Sequence, residues 1–114
     1  MSNDDAVTET VVGYRKSAIG TSNPSPEAAN ESARRLHEYY KQLQASDAGR
    51  KAIENLIVDA NPHVRCWAAA HILEWNPDAA KRVLEELADG DEPCSFDAQM
   101  ILAEFRKGRL SFDY

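Results

Sequence analysis

His63, Cys66 and His71 fall within nine residues of one another, and imidazole nitrogen and thiolate sulfur are ligands that a soft divalent metal accepts. On a helix, His63 and Cys66 share a face at i and i+3, whereas His71 lies well round from Cys66. A structural zinc site takes about four ligands, and the remaining candidates, Cys94 and His37, belong to other elements at no recognisable spacing. No metal site and no cofactor is expected. Cys66 with a histidine base would be a nucleophile if its thiol ionised, but its neighbours are mostly apolar, and burial raises a thiol pKa and suppresses reactivity. The expected role is packing. Carboxylates crowd at Glu85, Glu86, Asp89, Asp91 and Glu92, and paired carboxylates do acid/base work where a pocket splits their pKa values. Here they follow a solvated helix face and a turn, which suits solubility or a charged partner better than catalysis. The chain has no glycine-rich phosphate loop, nucleophile elbow or HExxH pattern, so no catalytic residue is assigned and an enzyme is not expected.

Helices must position these side chains, and helix punctuation recurs along the chain. Asn or Ser followed by Pro supplies a capping acceptor and then a residue preset for the first helical turn, so Ser25-Pro26, Asn61-Pro62 and Asn76-Pro77 read as helix starts. Ser46 or Asp47 caps another. Gly20, Gly90 and Gly108 sit where the periodic patterns fade and read as stops in the left-handed conformation. Between these marks Ala29, Ala33, Leu36, Tyr40 and Leu43 step by three and four, with Arg34, Arg35, Glu38 and Lys41 on the other side. Ala52, Ile53, Leu56 and Ile57 form a shorter stripe, and Ala80, Val83, Leu84 and Leu87 another. Val7, Val11, Tyr14 and Ala18 or Ile19 mark a first helix, weakened by three Thr/Ser residues and Gly13. From Val64 to Trp75 and from Phe96 to Phe105 apolar or alanine side chains cover nearly every face, which predicts helices buried between neighbours. No run with the period-two pattern of a strand competes.

A repeat is also legible. Trp67-Ala68-Ala69-Ala70-His71-Ile72-Leu73 aligns with Phe96-Asp97-Ala98-Gln99-Met100-Ile101-Leu102 at an offset of 29, within the range of helical-hairpin solenoids. The segment from Leu56 to Leu73 resembles a HEAT repeat, whose pattern of apolar helix, Asp, turn, Val-Arg, Ala-Ala and Leu is met at Asp59, Val64, Arg65, Ala68, Ala69 and Leu73. Residues 47–108 look like the small bacterial HEAT-like proteins grouped as domain of unknown function number two thousand and nineteen. That resemblance implies a fold and no established activity. It implies an all-α protein of stacked antiparallel helical hairpins, a short HEAT-like alpha-alpha superhelix of about six helices. It further implies a scaffold role for Asp59 and Arg65, with Arg65 held near the C-terminal end of the preceding helix, where a cation is favoured. In the second copy Ser95 stands where the pattern has Arg, as in a terminal repeat. Some HEAT-like proteins are base-excision glycosylases that use aromatic, Asp and Arg side chains in a basic groove. Trp67, Trp75 and Asp78 invite that comparison, which the acidic balance opposes.

At 114 residues, with 43% hydrophobic and 28% charged residues, the chain has the make-up of one globular domain. The expected organisation is a single domain over 1–114, with N-terminal helices in 1–45, HEAT-like hairpins in 46–108 and an apolar tail in 109–114. Lys and Arg number 13 against 19 Asp and Glu, a net charge of −6 that repels nucleic acid and anionic membranes. Two cysteines without a framework point to a reducing, cytoplasmic setting. The start Met1-Ser2-Asn3-Asp4-Asp5 lacks a secretion signal, and no segment approaches a membrane span. In the tail, Leu110, Phe112 and Tyr114 put large apolar groups at alternate positions. They are expected to fold back over the end of the stack, with docking on another chain as the alternative. The function expected is a non-enzymatic protein-interaction module with an acidic face, for example an inhibitor or immunity-type protein that occludes a basic enzyme, its partner basic or neutral. The alternative is a small-molecule or peptide binder with a pocket near Trp67, His71 and Trp75. The oligomeric state is left open, a homodimer included.

Overall fold

Capping side chains open three of the helices. Asn61 Oδ1 accepts from the backbone N–H groups of His63 at 2.9 Å and Val64 at 3.4 Å, starting helix α4 (Pro62–Ile72). Ser25 Oγ accepts from Ala28 N–H at 3.4 Å at the head of α2 (Pro26–Gln44). Ser46 Oγ accepts from Gly49 N–H at 3.0 Å at the head of α3 (Asp47–Asn55). Each bond satisfies an N–H that has no partner inside its own helix. At α5 (Pro77–Asp89) the Asn76 side chain makes no capping bond, and the fixed φ of Pro77 sets the first turn. Helices α1 (Asn3–Gly20) and α6 (Ser95–Arg106) and a single 3-10 turn, Leu56–Val58, complete the order. A computed structural model of the chain describes residues 3–91 and 93–114, and among them are six α-helices and no strand. The protein is all-α. None of these helices is long and apolar enough to cross a membrane.

The glycine stops differ from expectation at two of three positions. Gly108 follows the end of α6 with φ of 71°, the left-handed conformation that a residue without Cβ adopts freely. Gly90 ends α5 in an extended conformation, φ −92° and ψ −175°. Gly20 is the last residue of α1 itself, where a Cβ would run into Ser32 Oγ of α2. Its role is to let two helices approach.

The chain divides into two compact units, Met1–Leu56 and Ile57–Tyr114. In the first, α1 and α2 pack as neighbours and α3 packs on both. Tyr14, Ala18, Leu36, Tyr40, Leu43 and Ile53 are buried there. The α2 stripe therefore faces inward along its C-terminal half, with Ala29 and Ala33 half-buried. On the outer face Arg34 bridges Glu31 at 2.5 Å and Glu38 at 2.6 Å. The Arg34 guanidinium, with help from Arg35, holds the Glu31 carboxyl below its ordinary range. Gly49 lies buried in the first turn of α3, where a Cβ would meet the backbone of Leu43.

In the second unit α4 is the buried helix that its composition predicts. Val64, Cys66, Ala68, Ala69, Ala70, His71 and Ile72 are all buried. Three consecutive alanines keep the α4 surface low, and α5, which packs on both α4 and α6, buries Ala80, Leu84 and Leu87. Helix α6 corrects the expectation made for it. It buries only Ala98 and Leu102 and leaves Phe96 67% and Met100 48% exposed. It packs chiefly on α5, so its outer side is uncovered and the all-round apolar pattern does not translate into burial.

Two substitutions test this packing. Gly49→Ala forces its methyl group onto the Leu43 backbone and should cost about 1–3 kcal/mol, read as a lower urea midpoint. Ala69→Leu, at a fully buried position, should cost a similar ~1–3 kcal/mol by overpacking α4. An unchanged melting temperature for Ala69→Leu would contradict the close packing described for α4.

Candidate functional site

Leu84 and Leu87 turn inward from α5, which leaves Glu85, Glu86 and Asp89 on its exposed side. No basic residue stands in the last turn of this helix, although the carbonyl end of a helix favours cations and disfavours carboxylates. Charge and helix dipole therefore oppose each other at the end of α5. Residues 57–114 hold eleven Asp and Glu against six Lys and Arg, five of the six net negative charges of the chain.

A groove of about 470 Å³ opens beside this helix end. Ile57, Val83 and Leu87 supply apolar wall, while Glu86, Asp91 and Arg65 bring charge to it. Arg65 is held in place, its Nη1 donating to the carbonyl oxygens of Asp59 at 2.8 Å and Ala60 at 3.1 Å. Asp59 Oδ1 in turn accepts from the Asn61 N–H at 2.9 Å. Asp59 and Arg65 thus build the turn before α4, and Arg65 stands against the carbonyls that follow the 3-10 turn. Val64, Ala68, Ala69 and Leu73, the remaining residues of the motif, are buried.

The predicted acidic cluster divides. Glu86 and Asp91 line the groove, whereas Glu85 and Asp89 line a separate depression of about 290 Å³ with Gln99, Leu102 and Arg106. There Gln99 Nε2 donates to the Ala88 carbonyl at 3.1 Å, covering part of the α5 terminus. Glu92 lies outside the described residues. Lys81 Nζ sits 5.3 Å from the centroid of the Phe105 ring, a cation–π contact between α5 and α6.

The tail lies on its own unit. The Phe112 ring meets the buried His71 ring edge-on at a centroid distance of 4.7 Å, and the Trp67 ring lies tilted against the same His71 at 5.7 Å. Leu110 and Phe112 are half-buried and, with Leu73 and Phe105, line a cavity of about 160 Å³. Tyr114 is 79% exposed. Trp67 and Trp75 are half-buried rather than central. Alanine-mediated packing of α4 leaves no interior space for an indole, a side chain rarely buried completely.

Cys66 and Cys94, unrelated by any motif, are both buried and both free thiols. Cys94 Sγ donates to the Pro62 carbonyl oxygen at 3.4 Å, in the first turn of α4 next to Cys66. Burial pushes the Cys66 thiol far above its ordinary pKa, with the neighbouring Cys94 and Asp97 adding to the shift. Cys66 is thus held as a thiol at neutral pH. Among the described residues no three His, Cys, Asp or Glu side chains converge as metal ligands.

Comparison of the chain with protein-family models, curated proteins and solved structures returns no match in any of the three.

The tail contact gives a clear expectation. Phe112→Ala should destabilise the protein by about 1–2 kcal/mol through lost half-buried aromatic area, whereas Tyr114→Ala should leave the urea midpoint within ~0.5 kcal/mol of the parent. Equal effects of the two would contradict the cover over His71.

Proposed function

We propose that the protein is a non-enzymatic, HEAT-type protein-interaction module, and that the groove beside the end of α5 receives a basic side chain of its partner. The observation that supports this reading is the groove itself, about 470 Å³ with apolar wall and the carboxylates of Glu86 and Asp91 at its edge. A lysine or arginine from a partner would lay its aliphatic stem on Ile57, Val83 and Leu87 and put its charge between the carboxylates and the carbonyl end of α5. The same ion would relieve the opposition of charge and dipole that the free protein tolerates. Such local conflict is common at sites kept for function rather than stability.

The exposed Phe96 and Met100 on α6, at i and i+4, add apolar area one turn beyond the groove lining at Pro93. An apolar patch next to an acidic rim suits a basic, partly hydrophobic surface. One concrete form is an inhibitor that occludes a basic enzyme. A reducing, cytoplasmic setting fits the two buried free thiols.

Affinity capture from the native lysate at low salt, with the protein and its Glu86→Lys variant as parallel baits, tests the reading. The parent should retain a basic protein that elutes as ionic strength rises, and the variant should lose it. The free variant should be as stable as the parent or more stable by about 0.3–1 kcal/mol, because a cation near the helix C-terminus is favourable. Retention of the same partner by both baits, or binding indifferent to salt, would count against it.

A further inference from the structure

We infer that Cys66 and Cys94 form a modifiable dithiol, convertible to an intramolecular disulfide that ties the first turns of α4 to the start of α6. Cys94 immediately precedes α6, and its sulfur reaches across to the carbonyl of Pro62 in the first turn of α4 at 3.4 Å. Cys66 stands four residues after Pro62, one turn further along the same face. The Pro62 carbonyl is the one that precedes Cys66 by a helical turn, so Cys94 stands beside Cys66 at the start of α4. Cys66 and Cys94 are 4% and 1% exposed, and the chain has no other cysteine to compete. A disulfide needs Cβ atoms about 3.5–4.5 Å apart and an S–S bond of ~2.05 Å, which thiols on neighbouring turns reach by side-chain rotation and a small backbone adjustment.

The oxidant is a small disulfide, RS–SR. One cysteine thiolate attacks a sulfur of RS–SR, forming a mixed disulfide and expelling one thiolate. The other cysteine thiolate then attacks the protein sulfur of that mixed disulfide, forms the Cys66–Cys94 bond and expels the second thiolate. Both cysteines are oxidised, RS–SR is reduced to two thiols, and the protons that the cysteines lose go to the two leaving thiolates. Burial slows the first attack in the closed protein, because a protonated, shielded thiol is a poor nucleophile. Reaction therefore proceeds through local opening around Cys94 or during folding. The bond closes the ring from residue 66 to residue 94 and anchors the connection that contributes Gly90, Asp91 and Pro93 to the groove. The thiol pair does not depend on what the groove binds.

Refolding the reduced, denatured full-length chain in a buffer of reduced and oxidised glutathione at pH 8 makes both thiols accessible and lets them equilibrate. The expected product is a monomer lighter by two hydrogens, with a non-reducing digest that joins the Cys66 and Cys94 peptides. Its melting temperature should lie at least about 5 °C above that of the reduced protein. The Cys66→Ser and Cys94→Ser variants should each give no internal bond and instead take up a single glutathione. Refolded wild-type protein that keeps two free thiols, carries glutathione on separate cysteines, forms linked dimers or melts lower when oxidised would overturn the inference.

Discussion

The second unit depends on the low, alanine-rich surface of α4. Ala68, Ala69 and Ala70 are buried and project little from α4, and the neighbouring α5 buries Ala80, Leu84 and Leu87. Close-packed interiors tolerate neither added nor missing volume. This constraint reaches outward from the helix. It keeps Trp67 and Trp75 at the edge, makes His71 an aromatic partner for Trp67 and Phe112, and puts Cys66 where Cys94 can meet it. The tail then covers a surface that the alanines alone could not fill, with Phe112 supplying the area that matters and Tyr114 remaining in solvent.

Electrostatics follow a different logic from packing. The first unit places its charges in local pairs, as in the Glu31–Arg34–Glu38 ladder along α2. Near the end of α5, by contrast, carboxylates gather where the helix dipole disfavours them, beside a groove with apolar wall. Selection for stability alone would place lysine or arginine in that turn. The proposed basic partner accounts for both the misplaced charge and the concavity next to it. The adjacent thiol pair lies at the far end of the same connection, so the chemistry of the interior and the shape of the groove share one short segment of chain.

Much was legible in the sequence because it rests on short-range physics. Helix starts at Pro26, Pro62 and Pro77 follow from capping chemistry and the fixed φ of proline. The inward stripes of α2 and α5 follow from a period of 3.6, and the alanine run of α4 announced a buried helix. Arg65 against the carbonyls before α4 follows from a turn spanning only a few residues. These outcomes depend on neighbours in the chain, so residue type and spacing determine them.

Tertiary structure alone decided the rest. The apolar pattern of α6 resembles that of α4, yet Phe96 and Met100 remain exposed, since burial depends on which helices arrive alongside and not on the helix itself. Gly90 and Gly20 stop helices without left-handed backbone because cap geometry and helix approach, set by packing, overrode the residue's intrinsic freedom. Glu85 and Asp89 line one depression and Glu86 another, because successive residues of α5 point in different directions. The meeting of Cys66 with Cys94 had no local signal at all. Their contact is a product of the α4–α5–α6 path, and no spacing rule encodes the endpoint of three packed helices.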